Sequence, residues 1–166
     1  CAELKFEAIR TPRDIKVREE EKFRGTPVNE QYIVTKESYL YESHNAASPV
    51  IKSLKEDDVI YVKARSYDGK WYLVEKEGLN GYMYRDHIES VNWIIKKARE
   101  KLEEYVYSYK DCLRSKCPSK VSYLCISYCA DNIRGSMDNN ELIRRARSLG
   151  LKLGIDYFGI ARDIAN

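Results

Sequence analysis

The chain has 166 residues, 43% of them hydrophobic and 33% charged, with a net charge of +3 at pH 7. That length suits one or two small domains. The charge is too evenly balanced for a nucleic-acid binder, and no apolar run approaches the roughly 18 residues of a membrane-spanning helix.

The charge changes along the chain. Residues 1–31 hold seven basic and seven acidic residues, residues 32–91 hold eight and ten, and residues 92–166 hold fourteen and nine. The opening CAELKFEAIR begins at Cys1. A mature chain headed by cysteine resembles a bacterial lipoprotein. That resemblance implies a lipid on the Cys1 thiol and attachment to a membrane through it. Cysteine parity agrees. There are five cysteines, Cys1, Cys112, Cys117, Cys125 and Cys129, and an odd count in an exported chain leaves one thiol to explain. The stretch 1–31 then reads as a tether or lead-in. Leu4, Phe6 and Ala8 alternate with polar residues like a short strand. Ile15, Val17 and Phe23 argue for partial ordering, and Gly25 and Pro27 read as breakers.

Residues 32–91 read as a small β module. Tyr32–Val34 and Tyr39–Tyr41 start it, and residues 44–49, closed by Pro49, make a loop. Val50, Ile51 and Leu54 resume a strand, and Lys55–Asp58 is a polar turn. Val59–Arg65 is the strongest strand, rich in residues that fit a pleated surface. Asp68-Gly69 is a hairpin signal before Lys70–Val74. A turn over residues 78–81 precedes Tyr82–Tyr84, and His87-Ile88 closes the unit. Several strands at this spacing mean a small barrel or sandwich.

The order of these elements resembles the bacterial SH3-like (SH3b) domain. Val50, Ile51, Leu54, Asp58 and Val59 or Ile60 fit one part of the family pattern. Gly69, Trp71, Tyr72 and Val74 fit the next, and Gly78, Gly81, Tyr82, Met83, His87 and Ile88 fit the last. Three positions depart from it. Asp57 stands where the family has glycine, Tyr82 replaces tryptophan, and the signature loop near the start is replaced by Tyr39–Ser43. The resemblance implies an SH3-like β-barrel whose aromatics bind extended peptides or wall strands. The module has nine large aromatics, more than so small a core can bury, and Tyr39, Tyr41, Trp71 and Tyr84 are the expected ligand-binding patch. Packing inside the chain is the alternative for these rings. No acidic-aromatic motif for a proline-rich ligand is present.

Residues 92–166 read as helical. Asn92–Lys116 carries Ile95, Ala98, Leu102, Tyr105, Val106, Tyr109, Cys112 and Leu113 on one face. Pro118 ends it, and Ser119 is a cap for a second helix that Gly135 stops. Ser136 or Asp138 caps a third, stopped by Gly150, and Tyr157–Ile164 makes a fourth. In an antiparallel hairpin facing residues have a nearly constant sum of positions. Cys117 with Cys125 and Cys112 with Cys129 satisfy this to within one, so two disulfides are expected in an oxidising compartment. A four-cysteine zinc site and free buried thiols are the alternatives.

The expected fold class is therefore α+β, a small SH3-like β-barrel followed by a disulfide-braced α-helical module. No catalytic residue, metal ligand or cofactor is expected. His44 and His87 are the two histidines, and neither sits in a catalytic signature. The functional expectation is a non-catalytic lipoprotein of the bacterial envelope, facing the periplasm or the surface, that binds a cell-wall peptide or an envelope protein. An inhibitor or immunity-type lipoprotein acting through Arg144, Arg145 and Arg147 is the alternative.

Overall fold

The computed structural model describes residues 23–117 and 120–165. Cys1, the expected strand at Leu4, Phe6 and Ala8, Ile15, Val17 and the expected cap Ser119 lie outside the described residues. The fold is α+β. Among the described residues seven antiparallel strands are followed by four α-helices, and the chain divides into two compact units at Val91 and Asn92.

The first unit holds β1 (Gly25–Val34), β2 (Ser38–Tyr41), β3 (Val50–Leu54), β4 (Val59–Ser66), β5 (Trp71–Lys76), β6 (Leu79–Tyr84) and β7 (Ile88–Ser90). They form one sheet in the order β3-β2-β6-β5-β4-β1-β7. Every strand sends at least one side chain into a single buried cluster: Val34, Leu40, Leu54, Ile60, Val62, Val74, Met83 and Ile88. A flat sheet cannot do that, so the sheet curls around the cluster.

Strand β1 starts at Gly25, ahead of the expected Tyr32. Gly25–Pro27 pairs with Ala64–Ser66, while β7 covers Tyr32–Val34 alone, so the early part of β1 is a sheet edge where proline is tolerated. The register slips between Pro27 and Glu30, and Asn29 takes up the bulge at φ 54°. The last hairpin is also tighter than expected. Lys76 pairs with Leu79, and Glu77 and Gly78 both have positive φ, the signature of a two-residue type I′ turn. Gly81 is inside β6, not in the turn. A Cβ there would meet Leu40 Cγ at 2.5 Å and the Tyr41 carbonyl at 2.8 Å, so β2 crosses β6 only over a glycine. Asp57, in the turn between β3 and β4, has φ 73°. The backbone there has the left-handed form that glycine adopts freely.

The second unit holds α1 (Val91–Lys116), α2 (Tyr123–Asp138), α3 (Glu141–Ser148) and α4 (Tyr157–Ala165). Ser122 caps α2, its side chain accepting from the Cys125 N–H at 3.3 Å. Helix α2 runs through Gly135 to Asp138, which places Ser136 and Asp138 inside it. An interior glycine costs only about 1 kcal/mol. The cap of α3 is Asn140, which accepts from Ile143 N–H at 3.1 Å. Asp156 caps α4 through Gly159 N–H at 3.0 Å. Two disulfides, Cys112–Cys129 and Cys117–Cys125, tie α1 to the start of α2. The four sulfurs are bonded to one another, which removes the zinc and free-thiol alternatives.

Candidate functional site

The strongest surface feature of the sheet unit grows out of strand alternation. In β2 Ser38 and Leu40 are buried, while Tyr39 and Tyr41 face the other way. In β6 Gly81 and Met83 are buried and Tyr82 and Tyr84 are not. In β5 Val74 points to the core, so Trp71, three positions earlier, lies on the outer side. These three strands are neighbours in the sheet, and Trp71 sits directly opposite Tyr84.

The four aromatics singled out from the sequence therefore meet. Tyr39 and Tyr41 are 6.3 Å apart between ring centroids, Tyr41 and Trp71 5.9 Å, and Trp71 and Tyr84 5.7 Å. All three contacts are edge-on, the arrangement that ring quadrupoles favour. Tyr39 is 43% exposed, and the other three rings are half-buried. The result is a continuous aromatic ladder with its faces partly open to solvent.

Its backbone is fixed by the turn that precedes Trp71. Asp68 accepts from the Ser66 hydroxyl and from Lys70 N–H, and Trp71 N–H donates to Ser66 Oγ at 3.1 Å. These bonds, Ser66 first, hold the Asp68 carboxyl below the usual carboxylate range. Arg85 N–H donates to the Lys70 carbonyl at 3.0 Å, fastening the far end of β6 to the same turn.

His87 extends the ladder and was not foreseen there. Its ring lies 6.0 Å from Tyr84, and its Nδ1 is 2.6 Å from Oγ of Ser38, a serine only 2% exposed. Burial lowers the His87 pKa, Lys36 lowers it further, and Asp86 opposes both. The neutral ring is thus favoured. The sequence signal was present in the position of His87 at the end of the module, but Ser38 gave none.

A second aromatic group adjoins the ladder through Tyr82, which sits opposite Tyr41 across β2 and β6. Phe23 packs on His44 at 5.3 Å and on Tyr82 at 5.0 Å, and His44 and Tyr82 are 5.5 Å apart. His44 Nδ1 is buried with no hydrogen-bond partner among the described residues. The loop that carries His44 closes on itself. Glu42 N–H donates to the Pro49 carbonyl, and Ser43 and Ser48 exchange hydrogen bonds at 3.2 Å. The loop between β2 and β3 therefore has its own bonding. Tyr32 and Tyr72 form a third pair, 5.4 Å apart and packed against the core. Burial, and then Tyr72, pushes the Tyr32 hydroxyl up to about 12.

The arginines considered for an inhibitor surface are divided. Arg147 donates to Asp138 at 2.8 Å and to the Leu153 carbonyl at 3.0 Å, and Arg145 pairs with Glu141 at 2.7 Å. Arg144 is exposed. Two of the three guanidiniums thus serve the helical unit's own loops and turns. Among the described residues no group of three or more His, Cys, Asp or Glu is placed to hold a metal, and no helix is long and apolar enough to cross a membrane.

No protein-family model matches the chain, and no curated protein matches it. Among solved structures it is similar to NlpC2 from Trichomonas vaginalis, at 14% identity and a TM-score of 0.34. The likeness covers 37% of this chain and spans 23% of that one.

Proposed function

We propose that the protein is a non-catalytic lipoprotein of the bacterial cell envelope that binds peptidoglycan or an envelope protein through the outer face of its sheet. The observation that carries this reading is the ladder Tyr39-Tyr41-Trp71-Tyr84, assembled from three adjacent strands and partly open to solvent. Rigid aromatic rings offer large apolar faces with few rotamers to lose on binding, and they suit sugar faces and extended peptides alike. The two disulfides support an oxidising location outside the cytoplasm. They also leave Cys1 as the cysteine with no partner cysteine in the chain, in keeping with lipid attachment there. The sheet order, the tight turns and the left-handed backbone at Asp57 support kinship with the SH3b pattern.

The test separates the two ligand classes. Unlipidated chain carrying Cys1→Ser is mixed with untreated bacterial envelopes and with sacculi stripped of protein. Retention on the stripped sacculi assigns peptidoglycan as the ligand. Retention on untreated envelopes alone assigns an envelope protein. A chain that stays in the supernatant in both cases contradicts the proposal.

A further inference from the structure

The helical unit carries another surface, at the end of the α1–α2 hairpin that the disulfides close. Cys112–Cys129 and Cys117–Cys125 hold the last turns of α1 to the first turns of α2, with Cα separations of 5.8 and 6.2 Å. The residues that follow the Ser122 cap point outward. Tyr123 is 70% exposed and Leu124 80%. Phe158, at the start of α4 and 57% exposed, stacks on Tyr123 with centroids 6.1 Å apart. A shallow groove of about 360 Å³ beside this stack is lined by Val121, Ile126, Ala161 and Arg162 among others.

The charge at this end is one-sided. Between Cys112 and Ala130 the sequence contains Arg114, Lys116 and Lys120 and no acidic residue. These three and Arg162 are exposed, and none enters an ion pair among the described residues. Asp163 lies on the neighbouring side of α4, in a groove it shares with Lys110 and Arg114. Asp111 and Asp131 bound the acid-free stretch on either side, and Asp131 is paired with Arg134.

Outward rings and a leucine, surrounded by long unpaired cations, match the two halves of a lipid interface. The apolar groups enter the boundary between headgroups and acyl chains, and lysine and arginine stems reach back to anionic headgroups. A protein–protein interface of standard size needs roughly 800 Å² from each partner. The end of a two-helix hairpin suits shallow insertion better. We infer that the disulfide-closed end of the helical unit docks on an anionic lipid bilayer. This contact is separate from a lipid on Cys1 and from the aromatic ladder of the sheet.

The full chain with Cys1→Ser is floated with vesicles of equimolar phosphatidylglycerol and phosphatidylcholine, and with vesicles of phosphatidylcholine alone. The protein is expected to rise with the anionic vesicles and stay behind with the neutral ones. Leu124→Glu lowers partition to the anionic vesicles about tenfold, and Lys116→Glu combined with Lys120→Glu does the same. Both variants alter exposed side chains and keep the parent helical circular dichroism. Trp71→Ala floats like the parent, so failure here is distinguishable from failure of the sheet-face reading. The inference is overturned by a parent that does not float with anionic vesicles, by equal flotation with neutral ones, or by Leu124→Glu floating unchanged. Self-association abolished by Leu124→Glu would assign the surface to a second copy of the chain and overturn it as well.

Discussion

The sheet unit draws one or more buried side chains from each of its seven strands into a single cluster, with Val34, Leu54 and Val74 fully buried. The helical unit is closed differently. Small residues, Ala130, Ala146 and Ala161, share its interior with Tyr109, Met137 and Ile143, and two disulfides fasten its first hairpin. Long-range strand pairing gives the first unit a continuous seven-stranded network, with no disulfide among its described residues. That leaves its outer face free to collect aromatic rings. The second unit uses Tyr109 as an internal strut, its hydroxyl donating to the Tyr157 carbonyl at 2.7 Å while Arg134 covers the Tyr157 ring at 4.9 Å. Aromatics in the two units do different work. Tyr109 is fully buried and bonded, whereas Tyr39, Tyr41, Trp71 and Tyr84 form a surface ladder.

The largest effect expected from this contrast follows loss of a cross-link. Cys112 and Cys129 are 17 positions apart, and opening a loop of that size removes about 3 kcal/mol from the unit that contains it. In Cys112→Ser combined with Cys129→Ser, thermal melting followed by far-UV helical signal moves down. The near-UV tryptophan signal of Trp71, read in a Trp93→Phe background, keeps its midpoint. Joint movement of the two signals would break the picture of separately stabilised units.

The converse substitution is Gly81→Ala. Its Cβ meets Leu40 and the Tyr41 carbonyl inside contact distance, so the β2–β6 crossing must open, at a cost of about 2 kcal/mol. The near-UV midpoint falls and the helical one stays. A smaller effect, about 1 kcal/mol, is expected from Asn140→Ala, which removes the cap of α3. It is read in chemical denaturation by helical signal alone.

Much of the architecture was legible because the local rules agreed with one another. Alternation around Val59–Arg65, the Asp68-Gly69 turn and the three- and four-residue spacing in α1 each had one physical interpretation. The antiparallel register of the hairpin pointed to the cysteine pairing that the two disulfides make. The ladder was legible only in part: period-two alternation puts Tyr39 and Tyr41 on one face of β2, but the strand β6 that carries Tyr84 between them and Trp71 is set by the sheet order. What remained hidden depended on tertiary neighbours. Pro27 reads as a breaker, and only the missing partner strand along that part of β1 makes it a strand residue. Asn140 lost to Ser136 and Asp138 as a cap because Gly135 reads as a stop, yet an exposed helical glycine did not end α2. The Ser38–His87 contact joins residues 49 positions apart and has no local signature.

The gentlest probe of the comparison is pH. His87 has its pKa lowered by burial, so the folded sheet unit binds this proton less readily than the unfolded chain. Stability is fully present above the unfolded value of about 6.5 and is lost as pH falls through it toward the lower folded value. The near-UV midpoint should decline over that window, and His87→Gln should flatten the decline. The helical midpoint serves as the internal reference.

Whether the outer sheet face is a binding surface is tested most directly by one set of variants. Retention of the Cys1→Ser chain on untreated bacterial envelopes is measured beside that of Trp71→Ala and Tyr107→Ala in the same background. Tyr107 is 67% exposed in the helical unit and stands outside both surfaces described above. Losing a central aromatic anchor costs about 2 kcal/mol of binding, or roughly thirtyfold. The predicted result is that Trp71→Ala loses retention by about that factor, with its helical fold intact, while Tyr107→Ala is retained like its parent. Equal retention of Trp71→Ala and its parent would contradict the claim.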